Sequence, residues 1–79
     1  PPAGTLVIDP PRTGLSREAM AGAIHHGAAR IVYVSCDVAT LARDVRKLVD
    51  AGYMLSQIEA FDLFPNTAHV EVLAVLVRD

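Results

Sequence analysis

This chain of 79 residues has one cysteine, Cys36. A single thiol excludes an internal disulfide and points to a reducing, cytoplasmic compartment. Metal-ligand pairs are equally scarce. His25 and His26 are adjacent and face different sides of a helix, and His69 lies far along the chain, so no zinc site is expected. There is no glycine-rich phosphate loop, no internal repeat and no low-complexity tract. No apolar run approaches the ~20 residues of a membrane span. A strong charge of one sign is missing too. The formal net charge is −2, so any basic footprint for nucleic acid must be local or lie on other domains. The chain opens on Pro1-Pro2 rather than Met, so it reads as a piece of a longer protein whose targeting is open.

What is present is mostly apolar. The chain is 52% hydrophobic and 20% charged, a balance that favours burial on several faces over disorder. Its length allows one small domain at most. The same balance fits a piece of a larger α/β domain whose other strands would cover further apolar surface.

The order of elements follows from breakers and periodicity. Thr5-Leu6-Val7-Ile8-Asp9 is a short apolar strand stopped by Pro10-Pro11. Ser16 is an N-cap with Glu18 in the first turn, and the helix runs to about His26, stops at Gly27 and turns Met20, Ala23 and Ile24 inward. Arg30 to Ser35 is apolar at nearly every position, as in a strand buried on both faces. A second helix, roughly Val38 to Asp50, follows a cap at Asp37 or Ser35. Its apolar stripe is Val38, Leu41, Val45, Leu48 and Val49. Residues from about Met54 to Phe61 form a third strand, 64–68 a turn, and Val70 to Val77 a fourth strand that returns antiparallel. This alternation predicts a doubly wound α/β sheet with an antiparallel strand at one edge. Ligands in such sheets bind at the carboxyl ends of the parallel strands, where Asp9 and Cys36 lie.

Each candidate residue has two readings. Cys36 ends a buried strand just before a helix N-terminus, whose dipole favours a thiolate nucleophile, although Asp37 adds an opposing charge. The plainer reading is a small buried core residue. Asp9 can bind a cofactor amine or hydroxyl or hold a metal, or simply end a strand in a turn. Arg12 can grip a phosphate or carboxylate, or sit as a solvated loop charge. Glu71 opens an almost wholly apolar strand and is a candidate general base, or a solvated strand-start residue. A Cys36–His69 hydrolytic pair stays open. The Arg43, Arg46 and Lys47 cluster reads most simply as a solvated helix face, with RNA contact as the lesser reading.

Four segments together resemble the S-adenosylmethionine-dependent RNA uracil-C5 methyltransferases. They are Asp9-Pro10-Pro11-Arg12-Thr13-Gly14-Leu15, then Val32-Tyr33-Val34-Ser35-Cys36-Asp37, then Ala39-Thr40-Leu41-Ala42-Arg43-Asp44. The last is Phe61-Asp62-Leu63-Phe64-Pro65-Asn66-Thr67-Ala68-His69-Val70-Glu71. The resemblance spans nearly the whole chain. It implies the carboxyl-terminal half of a Rossmann-like class I methyltransferase sheet, with residues 1–79 as a partial catalytic domain. The first half that holds most of the cofactor, and any RNA-binding module, would lie outside it. It implies Cys36 as the nucleophile attacking C6 of uracil, Glu71 as the base removing the C5 proton, and Asp9 in the cofactor and target-base pocket. S-adenosylmethionine is the implied cofactor and RNA the implied partner. The Ala42-Arg43-Asp44 ending of the third segment leans towards ribosomal over transfer RNA. One departure concerns the nucleophile's neighbour: many family members have Asn-Pro after the cysteine, where this chain has Asp37-Val38. The alternatives are a methyltransferase acting on an exocyclic amine through Asp9-Pro10-Pro11, or a non-catalytic piece that associates through an open sheet edge.

Overall fold

The computed structural model describes residues 4–61 and 70–78. The elements are β1 (Thr5–Ile8), α1 (Arg17–His26), β2 (Arg30–Ser35), α2 (Val38–Asp50), β3 (Met54–Phe61) and β4 (Glu71–Val77). Local chemistry sets the helix ends. The Ser16 side chain accepts the Ala19 N–H at 3.0 Å, and Gly27 closes α1 with φ 68° in the left-handed region. Asp37, extended, caps α2 by accepting the Thr40 N–H at 3.0 Å.

The strands form one sheet in the order β1-β2-β4-β3. β1 and β2 run parallel, with Ile8 opposite Tyr33. β4 runs antiparallel to both β2 and β3. The antiparallel strand is therefore not at the edge, as the sequence pattern predicts, but inside the sheet. The reason is composition. β4 buries Val72, Ala74 and Leu76 on one face and half-buries Leu73, Val75 and Val77 on the other, so it needs a neighbour on each side. β3 carries Ser56, Gln57 and Glu59, is exposed at all eight positions, and takes the edge.

A doubly wound sheet has helices on both faces; here both described helices cover one. Met20 of α1 and Leu41 and Leu48 of α2 share a core with Ile31 and Tyr33 of β2 and Leu76 of β4. The strands advance in one direction from β1 to β2 to β3, so right-handed crossovers put α1 and α2 on the same side. Ile31, Leu48 and Leu76 are wholly buried, each contributing about 1.5–3 kcal/mol of transfer free energy. At the amino end of β2 the Tyr53 hydroxyl donates to the Ala28 carbonyl at 2.7 Å, and Arg78 lies over the Tyr53 ring at 5.2 Å from its centroid.

The stripe of α2 departs from its expected form. Leu41 and Leu48 are buried and Val45 is partly so, but Val38 and Val49 are exposed. The inner face carries the carboxylate of Asp44, fully buried, between Leu41 and Leu48.

Candidate active site

The sheet register gathers the expected site residues at one edge. Ser35, the last residue of β2, pairs with Val72 of β4. One residue further out lie Cys36, just past the end of β2, and Glu71, the first residue of β4, which pairs in turn with Phe61 at the end of β3. Asp9 is the first residue beyond β1, at the same end of the sheet. Cys36 and Asp9 are exposed, and Glu71 is half-buried. Exposure removes the reading of Cys36 as a small core residue.

The turn that presents Cys36 is held from both sides. The buried Ser35 hydroxyl donates to the Asp37 carbonyl at 2.9 Å and accepts the Asp37 N–H at 3.0 Å, bracketing the residue between them. Asp37 is committed to the cap of α2, so in this chain it fills a role that Asn would fill equally well.

A second anchorage ties the Asp9 loop to α2. The Thr40 hydroxyl donates to the Arg12 carbonyl at 2.8 Å, Arg43 Nη2 donates to the Thr13 carbonyl at 2.7 Å, and the Leu15 N–H donates to Asp44 Oδ2 at 2.9 Å. Within the loop, the Gly14 N–H donates to the Pro11 carbonyl at 2.8 Å. Asp44 also accepts the Tyr33 hydroxyl and the Arg43 guanidinium, the latter at 3.2 Å. A buried carboxylate is costly unless paired and hydrogen-bonded, and this one is both. Burial, then the Asp44 carboxylate, push the Tyr33 phenol well above its ordinary range, with Arg43 opposing.

This anchorage corrects the reading of the basic cluster. Arg43 is half-exposed, but its head group is spent on the loop and on Asp44 rather than on solvent alone. Arg46 fits the solvated reading, pairing with Asp50 at 3.2 Å across the exposed surface. The sequence does hold a signal for Asp44. Positions 41, 44 and 48 share one helix face, so an acid there must be buried and partnered.

Asp9, Pro10 and Pro11 border an open concavity of about 540 Å³ whose apolar wall includes Ile8, Leu15 and Ala19. The side chain of Arg12 is exposed. The expected turn at 64–68 and His69 of the open Cys36–His69 pairing fall outside the described residues.

The tRNA (uracil-5-)-methyltransferase family model matches residues 2–79. An uncharacterised RNA methyltransferase of Thermotoga maritima is 45% identical over 96% of this chain, and one of Gloeobacter violaceus is 47% identical over the same share. The chain spans 17% of the length of each of these relatives. The crystal structure of Pyrococcus abyssi tRNA (uracil-54, C5)-methyltransferase, in complex with S-adenosyl-L-homocysteine, superimposes with a TM-score of 0.82 at 44% identity. That match covers 92% of this chain and 18% of that one. With the family model spanning nearly the whole chain and the fold matching at this identity, the chain belongs to the tRNA (uracil-5-)-methyltransferase family.

Proposed function

We propose that this chain is the carboxyl-terminal part of a catalytic domain that methylates C5 of a uridine in RNA. The observation that carries the reading is the end of the sheet where Ser35 pairs with Val72: Cys36 directly follows the one and Glu71 directly precedes the other. C5 of uracil is a weak nucleophile. Addition of the Cys36 thiolate to C6 forms the C6–S bond and pushes the ring π electrons towards C5, as an enolate. S-adenosylmethionine, when bound, supplies the methyl group that C5 receives. Glu71 then takes the C5 proton, the C5–C6 double bond re-forms, and the C6–S electrons return to Cys36. The enzyme ends unchanged apart from the proton on Glu71, which passes to water.

The wall beside Asp9 fits such a cofactor in part. It offers an apolar surface of Ile8, Leu15 and Ala19 and one carboxylate acceptor for an ammonium or hydroxyl group. The neighbour's bound S-adenosyl-L-homocysteine supports the same cofactor class. For the RNA, the family and the solved neighbour support transfer RNA. The lean towards ribosomal RNA rested on Ala42-Arg43-Asp44, and Arg43 and Asp44 serve the loop anchorage instead. A free, exposed thiol acting as nucleophile supports a reducing, cytoplasmic setting. Among the described residues no helix is long and apolar enough to cross a membrane. The open outer edge of β3 supports self-association of the isolated segment, which sedimentation reads as a mass above the monomer at rising concentration.

The test uses the intact protein that carries this segment, S-adenosylmethionine, and separate transfer and ribosomal RNA transcripts. After digestion, 5-methyluridine from transfer RNA is expected. Nucleosides methylated on an exocyclic amine would replace this reading with the one in which Asp9-Pro10-Pro11 grips an amino group.

A further inference from the structure

We propose that Asp44 is a positioning residue for methyl transfer, acting through the loop that carries Asp9. The inference rests on the function proposed above but concerns a residue that touches neither Cys36 nor Glu71. Three observations carry it. The Asp44 carboxylate is fully buried, yet it lies on the helix that begins just behind Cys36. It binds three partners from three elements: the Leu15 N–H of the loop, the Tyr33 hydroxyl of β2, and the Arg43 guanidinium of its own helix. Arg43 and Thr40, one and four residues before it, hold the carbonyls of Thr13 and Arg12.

The geometry makes one rigid unit of the two strand ends. The loop after β1 cannot shift relative to α2 without breaking bonds to residues 12, 13 and 15 together. Gly14 closes the gap further. A Cβ there would stand 2.5 Å from Arg43 Nη2 and 2.6 Å from Asp44 Oδ2, and closer still to the Thr40 methyl. The loop therefore lies against the helix with no room for a side chain. If Asp9 borders the pocket and Cys36 attacks the base, their separation is set by this contact. Reaction rates depend steeply on such separations, and a misplacement of about 1 Å can cost about 100-fold.

The experiment measures kcat and KM for uridine methylation by the intact protein, with Asp44→Asn, Thr40→Val and Thr40→Ser. Asn keeps the volume of Asp44 but cannot accept from all three donors. Val removes the Thr40 hydroxyl, and Ser keeps it. The expected result is a fall in kcat of about 10- to 100-fold for Asp44→Asn, with the KM for RNA unchanged. A smaller fall is expected for Thr40→Val, restored by Thr40→Ser. Alkylation of Cys36 by iodoacetamide should keep its wild-type rate in all three, since the bracket at Ser35 and Asp37 is untouched. Wild-type kcat in both Asp44→Asn and Thr40→Val, with only the melting temperature lowered, would overturn the proposal. Should Asp44→Asn fail to fold, equal kcat for Thr40→Val and Thr40→Ser would overturn it by itself. A wild-type protein that methylates no uridine overturns the functional reading instead, and is told apart because every variant is then silent as well.

Discussion

The Tyr33 hydroxyl on β2 donates to the Asp44 carboxylate on α2, and solvent reaches neither side chain. The bond joins the strand that ends before Cys36 to the helix that begins after it. Through Leu15 it reaches the loop of Asp9 as well. A phenol in this position is neutral by necessity, because its anion would face the Asp44 carboxylate without water.

That necessity gives a pH dependence. The folded state holds the Tyr33 proton well above the phenol's ordinary value near 10. The unfolded chain releases it near 10. The stabilisation is therefore complete below pH ~10 and is lost as pH rises beyond it, at about 1.4 kcal/mol per pH unit. Thermal melts of the intact protein between pH 9 and 11 are expected to fall more steeply for wild type than for Tyr33→Phe. Identical slopes would contradict the burial of this hydroxyl.

Gly14 and Gly27 both have positive φ, at 82° and 68°, but their surroundings differ. Alanine at 27 would meet nothing nearer than 3.8 Å, so Gly27→Ala carries the conformational cost alone, about 1 kcal/mol. Alanine at 14 would add contacts with Thr40, Arg43 and Asp44 to a strain of about 1–3 kcal/mol. Gly14→Ala is expected to lower the melting temperature several-fold more than Gly27→Ala and to reduce activity at temperatures where the protein stays folded. Equal effects of the two substitutions would show that the loop does not bear on α2.

The contact of the Asp37 side chain is the cap of α2. Asn and Asp cap equally well, so Asp37→Asn is expected to leave stability unchanged, while Asp37→Ala costs about 1 kcal/mol. Chemical denaturation compares the two. A large loss in Asp37→Asn would mean that the carboxylate has a second partner.

Much of this arrangement is legible in the residues themselves. Pro10-Pro11, Ser16, Gly27 and Asp37 mark the element ends, because each acts through its own backbone or side chain on its neighbours. The bounds of α2 and β3 follow from the same local signals. The place of β4 is not local. It depends on which strand can tolerate an open edge, and that becomes plain only when the polar residues of β3 are set against the two apolar faces of β4. Arg43 looks like a surface charge because its partner, the Thr13 carbonyl, is a backbone atom thirty residues away. Cys36, Asp9 and Glu71 could each be named from strand ends and from resemblance, but their gathering at one end of the sheet comes from the registers of β2 with β1 and with β4.

Glu71 is assigned the C5 proton, so its loss should stop the reaction after methylation rather than before. Glu71→Gln is expected to lower kcat by about 10²- to 10⁴-fold. It should also leave ordinary RNA attached to the protein, visible as a band of reduced mobility on denaturing gels. A slow variant with no attached RNA would assign the proton to another group.

The most direct test of the central claim is covalent capture at Cys36. The intact protein is incubated with S-adenosylmethionine and transfer RNA containing 5-fluorouridine, then digested and mapped by mass spectrometry. Fluorine at C5 cannot leave as a proton does, so the adduct persists. The account predicts a nucleotide joined to the peptide containing Cys36, absent in Cys36→Ala. Methylation of ordinary transfer RNA that survives Cys36→Ala, with no adduct in the wild type, would contradict it.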